Sequence, residues 1–189
     1  LAGYKTSFEG HGEFCASVSS INSDVWPGWK AFNGASDNGQ GWMSDTNPAT
    51  YTEGTGVTNT TTARFGGKIG EWLNIDLPYK IQLKETTIIQ RKDSAHSRPA
   101  GSFTIWGSND KVNWDELITD TSTLAVVSDP KGNPINRIIN TSKLYSSYRY
   151  QVHGIIPTTG SDTGCHVAEW KLFGTREQLP PKQSVLHDG

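Results

Sequence analysis

The stretch Ser23-Asp-Val-Trp-Pro-Gly-Trp-Lys-Ala-Phe-Asn-Gly34 sets Trp26 and Trp29 on either side of a Pro-Gly dipeptide, which marks a turn. Two indoles in a turn either fold back onto the core or stay available to a ligand, since leaving one in water forgoes roughly 1.5–3 kcal/mol of burial. An available indole can pack on the C–H face of a sugar ring, whose hydroxyls then need fixed donors and acceptors. Signals for catalysis are missing. The sequence has no Gly-x-Ser-x-Gly elbow, no His-Glu-x-x-His, no zinc-spaced Cys/His set and no Gly-Lys-Ser/Thr phosphate loop. Glu71, Asp76 and Asp115 are of the type that glycosidases pair, but they adjoin apolar residues in strand-like runs. A non-enzyme is expected.

Composition narrows the partners. The 189 residues carry a formal net charge of -2, so no basic stripe is available for phosphates and no nucleic-acid partner is expected. No apolar run approaches the roughly 20 residues of a membrane-spanning helix. The start, "LAGYKTSFEG", lacks an initiator Met and a signal-peptide pattern, as a processed or excised fragment would. Cys15 and Cys165 lie near opposite ends of the chain. A bridge between them would stabilise the fold by about 4–5 kcal/mol in the chain-entropy model; the alternative is two buried thiols. Asn59-Thr-Thr and Asn140-Thr-Ser are glycosylation acceptor triplets. These features together suggest an extracellular or cell-surface setting. Oligomeric state is not encoded in any pattern found.

The elements that must position such residues are strands. Short β-type runs recur between turn residues, and no segment carries a helical stripe. In "GEWLNIDLPYKIQL", Leu73, Ile75 and Leu77 alternate with Asn74 and Asp76, and Pro78 ends the run before Ile81 and Leu83 resume. "GSFTIWGSNDKVNWDELI" reads as two strands joined at Ser108–Lys111. An all-β sandwich or jelly roll follows. The Gly/Thr/Asn-rich segment from Asp45 to Gly70 is long enough to be a functional loop. Residues 1–174 read as one domain and 175–189, with its Pro-Pro, as a tail or linker.

Four segments in order, "VWPGWKAFNG", "GEWLNIDLPYKIQLKETTIIQR", "FTIWGSNDKVNWDEL" and "HVAEWKLFG", resemble the discoidin family. This is the F5/8 type C domain of the galactose-binding-like superfamily, which also supplies carbohydrate-binding modules. The resemblance runs from about Glu13 to Gly174. It implies an eight-stranded antiparallel jelly roll with adjacent termini, consistent with a Cys15–Cys165 disulfide, and a ligand held by loops at one end. Carried onto this chain, those loops supply Trp26, Trp29, Asn47, Tyr51, Arg91, His96 and Arg98. The implied function is non-catalytic, lectin-like binding of cell-surface or matrix glycans; the alternative is binding to a membrane phospholipid surface or to protein, as in an adhesion domain. Galactose-binding members carry Trp-His-Thr where this chain has Trp42-Met43-Ser44, which removes the sugar-contacting histidine there. Many relatives hold a structural Ca2+ in a Phe-Asp-Gly turn together with a glutamate of the last strand. The matching residues are Asn33 and Glu169, with Asp37 able to restore the missing carboxylate.

Overall fold

The alternation that begins at Glu71 runs through one continuous strand, and that strand organises the whole sandwich. The computed structural model describes residues 4–8, 12–36, 40–46, 49–52, 58, 64–91, 100–121, 134–156 and 163–178. Its strands are β1 (Tyr4–Phe8), β2 (Gly12–Val18), β3 (Trp42–Met43), β4 (Arg64–Phe65), β5 (Lys68–Ile69), β6 (Glu71–Ile89), β7 (Ala100–Ser108), β8 (Asp115–Asp120), β9 (Pro134–Ile138), β10 (Tyr145–Ile155), β11 (His166–Val167) and β12 (Glu169–Arg176). A 3-10 helix spans Gly28–Phe32. All strand pairings are antiparallel, and the principal sheet follows the order β1-β2-β6-β10-β7-β8.

The first half of β6 pairs with β2 and β10, and the second half pairs with β12 and β9. Pro78 does not end the run. It sits at the corner, between the Asp76 pairing with Ser147 and the Ile81 pairing with Tyr145, where neither ladder needs the N–H that proline lacks. The chain reverses there, so Glu71 and Ile89 return to the same pole. Ala168 N–H donates to Ile89 O (3.0 Å) and Tyr51 Oη to Val152 O (2.9 Å), which ties the two sheets together at that pole.

Between the sheets lie the inward residues of each strand: Leu73 and Ile75 of β6, Phe103 and Ile105 of β7, Tyr148, Tyr150 and Val152 of β10, and Trp170 of β12. Two of the buried polar tips find acceptors there, Tyr148 Oη at Ile81 O (2.6 Å) and Trp170 Nε1 at Thr86 Oγ1 (2.7 Å). The Ser108 turn is built as expected. Asp110 accepts from the Asn113 side-chain amide at Oδ2 (2.8 Å) and from the N–H groups of Val112 (2.9 Å) and Asn113 (2.7 Å) at Oδ1, which together hold its carboxyl well below the usual range.

Cys15 and Cys165 form no disulfide. Cys15 pairs with Asp76 on β6, whereas Cys165 packs beside Ser44 and Tyr51, and the Tyr51 hydroxyl accepts from Glu71 N–H (3.3 Å). Asp76 lies five positions beyond Glu71, on the order of 16 Å along a strand, against the ~7 Å Cα limit for a bridge. Strand β12 runs two residues past Gly174: Thr175 and Arg176 pair with Gln82 and Ile81, and the Arg176 guanidinium lies 3.9 Å from the Tyr79 ring centroid. Tyr79 meets Phe14 of β2 edge-on, so the first and last long strands are neighbours at the corner pole.

Reduction with dithiothreitol is therefore expected to leave Tm unchanged, and both thiols are expected to titrate in urea without reductant. A Tm that falls on reduction would contradict the separation of the two cysteines.

Candidate ligand-binding site at the loop pole

The turn at Pro27-Gly28 separates the two indoles. Trp29 enters the 3-10 helix and packs against the core, as does Phe32, whose ring lies 5.7 Å from that of Trp170. Gly28 makes this descent possible, because a Cβ there would come within 2.5 Å of the Val18 side chain. Trp26 stays higher. Its N–H donates to Ser23 O (3.0 Å) and its carbonyl accepts from Met43 N–H (3.4 Å), which fixes the backbone while the ring remains half-buried. Val25 and Ile21, in the same segment, are 53% and 38% exposed.

Arg91, just past the end of β6, lays its guanidinium 4.6 Å from the Trp26 ring centroid. His166 of β11 meets the same ring edge-on, with centroids 5.2 Å apart and an 83° interplanar angle. Three segments far apart in sequence thus converge on one indole. Stacking of this kind contributes roughly 0.5–2 kcal/mol, and it restrains a flexible cation whose planar fork can then serve as a set of placed donors. An indole surface beside those donors has the chemistry to hold a sugar ring, its C–H groups on the aromatic face and its hydroxyls by hydrogen bonds.

Of the residues expected at this pole, Trp26 and Arg91 come together, and Trp29 is at the core margin. Asn47, His96 and Arg98 lie outside the described residues, as does Asp37. Tyr51 requires a correction. It is completely buried, and its hydroxyl bridges Val152 O and Glu71 N–H, so it braces β6 against β10 and offers nothing to a ligand. Its phenol is raised well above the ordinary range by burial. His166 was not singled out by the sequence; the only signal was an imidazole interrupting the apolar run "CHVAEW".

The turn after the helix meets Glu169, the first residue of β12. Gly34 N–H donates to Glu169 Oε2 (3.0 Å), Asn33 Oδ1 accepts from Ala35 N–H (3.0 Å), and Asn33 Nδ2 donates to Gln40 Oε1 (2.7 Å). Glu169 is 5% exposed, and burial pushes its carboxyl up to about 7 despite the Gly34 N–H. Among the described residues there is no cluster of three or more His, Cys, Asp or Glu. The donor set is one buried carboxylate beside amide oxygens and a turn backbone, which in kind suits a hard cation that takes oxygen ligands.

No protein-family model and no curated protein matches this chain. Solved structures do. A CBM32 module from Clostridium perfringens, in complex with GalNAc-β-1,3-galactose, superposes with a TM-score of 0.60 at 14% identity, covering 85% of this chain and 95% of that one. The family 32 module of C. perfringens NanJ, in complex with galactose, gives 0.58 at 12%, covering 84% and 92%. Chitosan-binding module 1 of a Paenibacillus sp. IK-5 chitosanase/glucanase gives 0.55 at 20%, covering 84% and 93%. What this chain shares with them is the fold, an antiparallel jelly-roll β-sandwich.

Tyr51→Phe leaves the Val152 carbonyl and the Glu71 amide without their common partner in a dry setting. It is expected to cost about 1–3 kcal/mol of unfolding free energy, measured by urea denaturation, with the Trp26–Arg91 contact unchanged.

Proposed function

We propose that this chain is a non-catalytic carbohydrate-binding module whose ligand sits at the loop pole, packed against Trp26 and hydrogen-bonded by Arg91. The supporting observation is the Arg91 guanidinium held 4.6 Å from the Trp26 ring centroid, at the pole where β6 begins and ends. The structural neighbours are glycan binders by description, and their fold is the one found here. An extracellular or cell-surface setting accompanies a glycan ligand. Isothermal titration against a panel of neutral mono- and disaccharides is expected to find a saturable ligand. Trp26→Ala and Arg91→Ala are each expected to weaken it by tenfold or more, a loss of about 1.4 kcal/mol or above. Absence of any saturable sugar, or variants that bind as the parent does, would overturn this reading; pelleting with phosphatidylserine vesicles that Trp26→Ala abolishes would assign the pole to lipid instead.

A structural Ca2+ belongs to the same proposal. Glu169, main-chain carbonyls of the Asn33–Gly34 turn and Asp37 would hold it, and the ion would neutralise a carboxylate that burial disfavours. Millimolar CaCl2 is expected to raise Tm relative to EDTA, through preferential binding to the folded state. Glu169→Gln is expected to remove that rise. An identical Tm with and without Ca2+ would remove the ion from the account.

A further inference from the structure

The outward face of the principal sheet holds a second arginine in an unusual setting. Arg149 of β10 lies between Asn74 of β6 and Trp106 of β7 in register. Its guanidinium carbon is 4.1 Å from the Trp72 ring centroid, 4.2 Å from that of Phe65 and 4.4 Å from that of Trp114. Among the described residues its one hydrogen bond runs from Nε to Asn74 Oδ1, at a long 3.3 Å. A guanidinium has five N–H donors, and among the described residues no acceptor is hydrogen-bonded to the terminal ones. The neighbouring Asp76 carboxylate accepts instead from Lys111 Nζ (2.8 Å), Ser147 Oγ (2.8 Å) and Asn74 Nδ2 (3.0 Å). Beside the cation, Trp114 Nε1 is also buried without an acceptor.

Burial between rings lowers the Arg149 pKa to about 10, a measure of how far water has been stripped from a cation that lacks a hydrogen-bonded carboxylate. A buried donor left unmet, as Trp114 Nε1 is, is rare in folded proteins and calls for a reason. Aromatic faces on either side of a planar fork with open donors match one class of ligand in particular. The fork suits a carboxylate, which takes two parallel N–H bonds, and half-buried indoles suit the C–H face of the ring that bears it. Lys68 and Lys111 add positive charge nearby, opposed by Asp76 and Glu116, so the surroundings do not repel an anion.

We propose that Arg149, with Trp72 and Trp114, forms a second ligand site that binds the carboxylate of an acidic saccharide. The carboxylate accepts from the terminal nitrogens of Arg149 and from Trp114 Nε1, and the sugar ring lies against Trp72. The choice of a saccharide rests on the glycan-binding reading above; the demand for an acidic acceptor does not.

The test is NMR of the 15N-labelled chain, with the seven indole signals assigned by Trp→Phe variants. Methyl glucuronide is titrated beside methyl glucoside and sodium acetate. Saturable shifts at Trp72 and Trp114 with the glucuronide alone are expected, about tenfold weaker in Arg149→Lys, which keeps the charge but loses the fork, and unchanged in Trp26→Ala. No shift at these two indoles, an equal response to methyl glucoside, or binding that survives Arg149→Lys undiminished would overturn the site. Acetate binding as tightly as the glucuronide would overturn the saccharide. Should Arg149→Lys fail to fold, the parent spectra still decide, because shifts must appear at Trp72 and Trp114. Failure at the loop pole reads out separately, as a Trp26 indole silent to every neutral sugar.

Discussion

Because β6 carries ladders to β2 and β10 before its corner and to β12 and β9 after it, the two sheets are joined covalently through one strand. Everything at the loop pole inherits its position from that arrangement. Arg91 follows directly from the end of β6, Glu169 pairs with Ile89, and Trp26 is tied to β3, which pairs with β11. A slip of one residue in β6 would turn Leu73, Ile75 and Leu83 outward and bring Trp72, Asn74 and Asp76 in. The apolar set in the core therefore also fixes where the polar set outside must lie.

That outward polar set is not simply solvated. The hairpin of β4 and β5 lies over it, latched by Gln151 Nε2 donating to Lys68 O (3.0 Å) and by His153 Nδ1 donating to Ile69 O (2.9 Å). Lys68 Nζ reaches Glu116 (2.8 Å), Thr104 (3.1 Å) and Thr119 (2.6 Å) on the strands beneath. Phe65 of the hairpin meets Trp106 and Trp114 edge-on, both at 5.2 Å. The latch suits a neutral imidazole: Nδ1 donates, Nε2 faces the Thr104 hydroxyl, and burial with nearby Lys68 lowers the His153 pKa. The principal sheet thus has an inner apolar core and an outer aromatic layer, and Arg149 belongs to the second.

Strand positions were legible because period-two alternation is a direct consequence of which face is buried. Leu73, Ile75, Phe103 and Ile105 show it. Pro78 was misread as a terminus, since composition alone cannot distinguish a strand end from a corner at which the ladder changes partners. The cysteine pair misled for a related reason. Separation in sequence says nothing about height along β6, and it is height that keeps Cys15 and Cys165 apart. Tyr51 stood in a polar, Thr-rich stretch that resembles an exposed loop, yet its phenol supplies the one group that joins Val152 O to Glu71 N–H. The alternation Ser147, Arg149, Gln151, His153 is a polar face that the sequence reading passed over, and nothing local in it shows that Phe65 and Trp114 close over Arg149.

The two arginines illustrate what burial does to a cation next to indole. Arg91 stacks on the half-buried Trp26 ring at the loop pole, where on the proposed reading a neutral hydroxyl suffices to replace bound water. Arg149 is walled by three rings, and water reaches it less, so the same fork favours a partner that returns the lost solvation, which only an anionic acceptor does in full. Identical side chains on one jelly roll are thereby biased toward different ligands by the number of aromatic faces around them. Ligand preference at the two proposed sites then turns on how deeply each guanidinium is set, and the outer hairpin, by bringing Phe65 over Arg149, sets that depth for Arg149.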